Sequence, residues 1–181
     1  MQTYLSLLRG INVSGQKKIK MADLKLMYES LGFEDVTTYI QSGNVIFKTK
    51  KSRESNLEEP IKKEIRKTFG FEVPVLVLCY EELLSLAAAN PYKDSELDHK
   101  FLHFTLLSTP PDAEKIKVVN EMQFPGEEFL VTKRVVYLCL PNGYGRTKLN
   151  NNFFESKLKV SATTRNLKSV NKLIELAKKN I

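Results

Sequence analysis

Little in this sequence of 181 residues points to a committed chemistry. No stretch approaches the roughly 20 apolar residues that a membrane-spanning helix needs. The opening run MQTYLSLLRGINV has no basic leading region and is interrupted by Arg9 and Asn12, so no secretory signal is expected there. There are two cysteines, Cys79 and Cys139, each inside an apolar run; they are expected as reduced, buried thiols, not as a disulfide framework. A cytoplasmic protein without a membrane partner is the resulting expectation. The G-x-S-x-G elbow, the G-x-x-x-x-G-K-[ST] loop, H-E-x-x-H and C-x-x-C are all missing. The two histidines, His99 and His103, are four apart, which suits a helix face, but Phe101 to Leu107 reads as strand. With no cysteine beside them, no metal site is called for and no cofactor is implied. Asp94, Glu96 and Asp98 lie in a polar loop and do not suggest a tuned acid and base pair.

What is present is an uneven charge. Lys and Arg number 28 against 21 Asp and Glu, for a net charge of +7. Basic and acidic side chains cancel over residues 1–141, and the whole excess lies in residues 142–181. A localised basic region concentrates anions, favouring phosphates or nucleic acid. A solvated helix face with a lysine tail at Lys178 and Lys179 would give the same composition.

The hydrophobic pattern alternates between the two periods of regular structure. Thr3 to Leu8 is a strand-length apolar run. Leu24, Met27, Tyr28 and Leu31 then mark one helix face closed by Gly32. Val36 to Ile40 and Val45 to Phe47 form a hairpin through Gln41-Ser42-Gly43-Asn44. Leu57, Ile61, Ile65 and Phe69 mark a second helix, with Pro60 expected near its first turn, and Val73 to Leu78 is a strand. The order is β-α-β-β-α-β, the split βαβ of ferredoxin-like domains. Tyr80 to Ala89 reads as a connecting helix. The order then recurs: Phe101 to Leu107, a helix with Ile116 and Val119, a hairpin of Glu128 to Val131 and Val135 to Leu140, a brief helix over Phe153 to Leu158, a very short strand at Val160, and a final amphipathic helix. The expected class is α+β: two ferredoxin-like (βαββαβ) subdomains in tandem with a C-terminal helix. The boundaries read as 1–79, a helical connector 80–100, and 101–181.

Two polar segments are candidates for binding. Arg9-Gly10-Ile11-Asn12-Val13-Ser14-Gly15 follows the first strand; its glycines let backbone N–H groups approach an anion, and Arg9 offers a bidentate donor. Ser161-Ala162-Thr163-Thr164-Arg165-Asn166 leads into the last helix, with Asn166 a natural N-cap, and a helix start favours anions. The runs LLRGINV (7–13), YIQSGNVIF (39–47), Asn90-Pro91, GYGRTKL (143–149) and ATTRN (162–166) together give a chain that resembles the bacterial domain-of-unknown-function family 1697 over essentially its whole length. It departs from the family's usual pattern at Ser14, where a second glycine is common, and at Leu167, where tryptophan is common. The resemblance implies a cytosolic two-subdomain α+β protein of ferredoxin-like character, and supplies no activity.

The leading functional expectation is a site for a phosphate-bearing small molecule such as a nucleotide. Its candidate ligands are Arg9, Gly10, Asn12, Gly15, Ser42, Asn44, Arg146, Lys148, Thr163, Thr164, Arg165 and Asn166. One alternative is a nucleic-acid-binding protein using its basic C-terminal region, with a ferredoxin-like sheet that would need exposed aromatics such as Tyr4, Tyr39 and Phe47. The other is a protein–protein interaction module.

Overall fold

The computed structural model describes residues 1–94 and 96–179; residue 95 of the expected connector and residues 180 and 181 of the expected second subdomain lie outside them. No described helix is long and apolar enough to cross a membrane. The chain divides into two compact units, residues 1–84 together with those from 173 onward, and residues 85–172.

In the first unit the elements are β1 (Gln2–Leu8), α1 (Met21–Ser30), β2 (Glu34–Tyr39), β3 (Asn44–Thr49), α2 (Glu54–Phe69) and β4 (Val75–Cys79), followed by α3 (Tyr80–Ala88). The four strands form one antiparallel sheet in the order β2-β3-β1-β4. Tyr4, Leu8, Val45, Phe47, Val75 and Val77 of its strands join Leu24, Tyr28, Ile61 and Ile65 of α1 and α2 in one core. Tyr4, Tyr28, Phe33 and Phe47 meet there as a ring cluster, with centroids 4.4–5.9 Å apart. The alternate residues Leu5, Leu7, Ile46, Leu76 and Leu78 are buried too. Burial on both faces is why these strands read as unbroken apolar runs and not as alternation. Helix α2 begins one turn earlier than its apolar spacing suggests, so Pro60 stands inside the helix, not at its first turn. Its ring removes one helical donor there.

The second unit repeats the order: β5 (Leu102–Leu107), α4 (Ala113–Asn120), β6 (Glu128–Val131), β7 (Val135–Cys139), a one-turn 3-10 helix at Tyr144–Arg146, α5 (Asn151–Leu158) and β8 (Ala162–Asn166), with α6 (Leu167–Lys178) following at once. Its antiparallel sheet runs β6-β7-β5-β8. Leu107, Val136, Leu138 and Ala162 of the sheet pack with Val119 of α4 and Phe154 and Leu158 of α5. The last strand is not at Val160. It is the Ala162–Asn166 run, held by pairing with β5, and Asn166 ends it and caps α6 by accepting from the Ser169 amide at 2.8 Å.

Candidate functional site

In the first unit, the loop after β1 is closed by Asn12. Its Nδ2 donates to the carbonyls of Ile19 (3.0 Å) and Gln41 (2.9 Å), and its Oδ1 accepts from the Ile19 amide at 2.9 Å. Both amide hydrogens are thus committed to the protein's own backbone. Gly10, Asn12, Ser14, Gly15 and Lys17 all hold left-handed backbone, which keeps the loop tight. Lys17 donates to the Glu72 carbonyl at 2.7 Å. Asn44 is fully buried and donates to the Tyr39 carbonyl and the Ser42 hydroxyl, both at 3.0 Å. Asn12, Ser42 and Asn44 therefore form the scaffold of their turns. Arg9 is half-buried beside this loop, and its backbone N–H donates to the Pro74 carbonyl.

Strand geometry splits the second candidate run. Thr163 and Arg165 lie opposite Leu106 and Phe104 on one face of the sheet; Thr164 and Asn166 lie opposite Thr105 and His103 on the other. Burial pulls the Arg165 pKa down to about 10, which leaves it a cation at neutral pH, and its Nη1 donates to the Thr164 carbonyl at 2.9 Å.

On the Thr164 face a polar network converges. The Thr164 hydroxyl donates to Asn151 Oδ1 at 2.7 Å and so must accept from Thr105 Oγ1 at 2.7 Å; Tyr144 donates to it at 3.2 Å. The Asn151 amide closes the ring by donating to the Tyr144 hydroxyl at 3.2 Å. His103 stacks on Tyr144, centroids 5.2 Å apart and planes 29° off parallel. Its Nδ1 lies 3.2 Å from the Phe101 carbonyl, which only accepts, so Nδ1 carries the proton. Burial lowers the His103 pKa, the Phe101 bond opposes this, and the neutral ring is the form at pH 7. Arg146 and Lys148, just past Tyr144, are exposed and make no ion pair or side-chain hydrogen bond with any described residue.

Sequence reasoning selected Arg146, Lys148 and Thr164 but missed Tyr144, Asn151 and His103 as one cluster. The signal available was Tyr144 inside the GYGRTK run. The candidate stacking residues Tyr4 and Phe47 are fully buried in the first core, which removes them as a base-stacking platform; Tyr39 is half-buried. Cys139 is buried and Cys79 half-buried, both are free thiols, and burial raises both pKa values. Glu54, Cys79 and Glu82, from three different elements, bring ligand-type atoms within 4.8 Å of one another, a grouping that no sequence spacing announced.

Three comparisons bear on this geometry. Residues 1–137 match the model of a family described as protein of unknown function (DUF1697), and the chain belongs to that family. No curated protein matches the sequence. The fold is similar to that of a conserved bacterial protein from Streptococcus pneumoniae, with a TM-score of 0.73, 24% identity, and coverage of 97% of this chain and 98% of the other.

Proposed function

We propose, with membership of this family as the premise, that the protein binds a phosphate-bearing small molecule of nucleotide type at the Tyr144 cluster of the second unit. The observation that carries the reading is the pair of exposed cations, Arg146 and Lys148, two and four positions past Tyr144 and without an ion pair to any described residue, together with the fixed hydroxyl and amide groups around Tyr144. Phosphate binding needs such charge together with oriented donors. Arg165, in the same strand as Thr164 but on the opposite face of the sheet, is not part of this cluster. The loops around Asn12 and Asn44 act as supports for the first unit's turns in this reading. We also read both units as ferredoxin-like, supported by the shared antiparallel order β2-β3-β1-β4 and β6-β7-β5-β8, and the protein as cytoplasmic, supported by its two free thiols.

A thermal-shift series with AMP, ADP, ribose 5-phosphate and inorganic phosphate tests the site. A binding compound raises Tm with concentration as RT ln(1+[L]/Kd) requires. The Arg146→Ala/Lys148→Ala double variant should lose that rise while its ligand-free Tm stays unchanged. The reading fails if no phosphate compound shifts Tm, or if the shift survives in the double variant. Binding of a polynucleotide with a steep dependence on salt would favour the nucleic-acid alternative instead.

A further inference from the structure

The segment that joins α4 to β6 folds back on itself at Pro125-Gly126. Gly126 holds φ 75°, the Glu127 amide donates to the Phe124 carbonyl at 3.1 Å, and Phe124 and Glu127 form an isolated antiparallel bridge. This turn brings Phe124 against Phe129, edge to face with centroids 5.8 Å apart, and Phe124 also packs on Phe153 at 5.4 Å. The result is a rigid aromatic wall. With Tyr92, from the segment after α3, it lines an open, solvent-facing cleft of about 420 Å³ that Met122, Glu127 and Glu128 complete. That volume lies in the range of small-molecule sites.

The charge in this cavity is opposite to that of the chain. Glu127 is half-buried and held in place by the Thr147 hydroxyl, which donates to its Oε2 at 2.8 Å. Glu128 is exposed and has no ion pair or hydrogen bond from its side chain to any described residue. Among the described residues no lysine or arginine forms an ion pair with either carboxylate, although cations exceed anions by seven in the sequence. The Tyr92 phenol is pushed up to about 12, first by burial and then by the charge of Glu128. The two carboxylates have no third ligand atom close enough to form a metal-binding group among the described residues. Aromatic rings beside fixed negative charge suit a different guest, because a ring's π face and a carboxylate both attract a soft, weakly hydrated cation.

We propose that this cavity binds a small organic cation of the alkylammonium class, with its charge at Glu127 and Glu128 and its methyl or methylene groups against Phe124, Phe129 and Met122. The proposal stands apart from the phosphate reading, since an anion would be repelled here. Titration of the whole protein with choline, followed by NMR or calorimetry, tests it against the uncharged isostere 3,3-dimethyl-1-butanol. Choline should saturate, and the isostere should bind at least about tenfold more weakly, since shape alone does not replace charge. Glu128→Gln, at an exposed position that leaves the fold unaffected, should weaken choline by about tenfold, and Glu127→Gln should weaken it as well. Equal binding of choline and its isostere would overturn the charge assignment. Absence of saturation at ~10 mM choline, or full affinity in both Gln variants, would overturn the site.

Discussion

Asn12 and Gln41 are joined side chain to carbonyl at 2.9 Å across 29 positions of sequence, and the same amide holds both backbone polar groups of Ile19. One short side chain therefore ties the loop after β1 to the β2–β3 turn. Asn12→Ala removes three hydrogen bonds and leaves alanine in left-handed backbone at φ 56°. A loss of about 3 kcal/mol is expected. Chemical denaturation measures it, and the Ile19 amide should lose its protection from hydrogen exchange.

Two glycines with nearly equal φ should differ in tolerance. At Gly43 a Cβ would lie 2.7 Å from Leu8 Cβ and 2.7 Å from Ile11 Cδ1; at Gly126 it would meet nothing within 4 Å. Gly126→Ala should cost about 1 kcal/mol, the backbone effect alone. Gly43→Ala adds a steric clash and should cost roughly 3 kcal/mol or more. Urea midpoints at equal m-values decide the comparison.

The Thr105–Thr164 hydroxyl pair provides a coupled test. Thr164→Val strands the fully buried Thr105 hydroxyl and Asn151 Oδ1, and should cost about 2 kcal/mol. Adding Thr105→Val removes one orphan, so the double variant should lose less than the sum of the singles. Strict additivity would show that the two hydroxyls act independently.

Folding stability should fall on mild acidification because of His103. Its pKa in the folded protein lies below the ordinary 6.5, so the unfolded chain takes up the proton first. The stability is fully present above pH 6.5 and is lost as pH falls from there through the lower folded value. His103→Phe keeps the stack on Tyr144 and leaves the Phe101 carbonyl bonded to the Leu140 amide. That variant should flatten the pH dependence between pH 7 and 5, as measured by denaturation at each pH.

The element order of both units was legible because their strands and helices carry strong periodic signals: the i, i+3, i+4, i+7 face of α1 and the apolar runs of β1, β4, β5 and β7. Strand β8 was not. Thr163 and Arg165 on one face and Thr164 and Asn166 on the other leave no apolar alternation, so only the β5 ladder defines it. Asn12 and Asn44 resembled ligand-binding residues because short amides in glycine-rich loops suit binding and loop closure alike. Which role they play depends on carbonyls at Ile19, Gln41 and Tyr39 coming within 3.0 Å, a matter of tertiary placement. The cavity at Phe124 was hidden for a similar reason: its Tyr92 wall comes from a segment about thirty positions away.

The ring of bonds through Asn151, Tyr144 and Thr164 has a direction, and that direction leaves one rotor with a choice. The Thr164 hydrogen is committed to Asn151 Oδ1, and its oxygen receives from both Thr105 and Tyr144. The Tyr144 oxygen accepts from the Asn151 backbone amide, a bond that does not depend on its own hydrogen staying on Thr164. Turning that single O–H bond outward would hand a donor to an arriving oxygen while no heavy atom moves and no buried group loses its last partner. In the proposed site, such an exchange of an internal bond for an external one would cost a torsion and little conformational entropy.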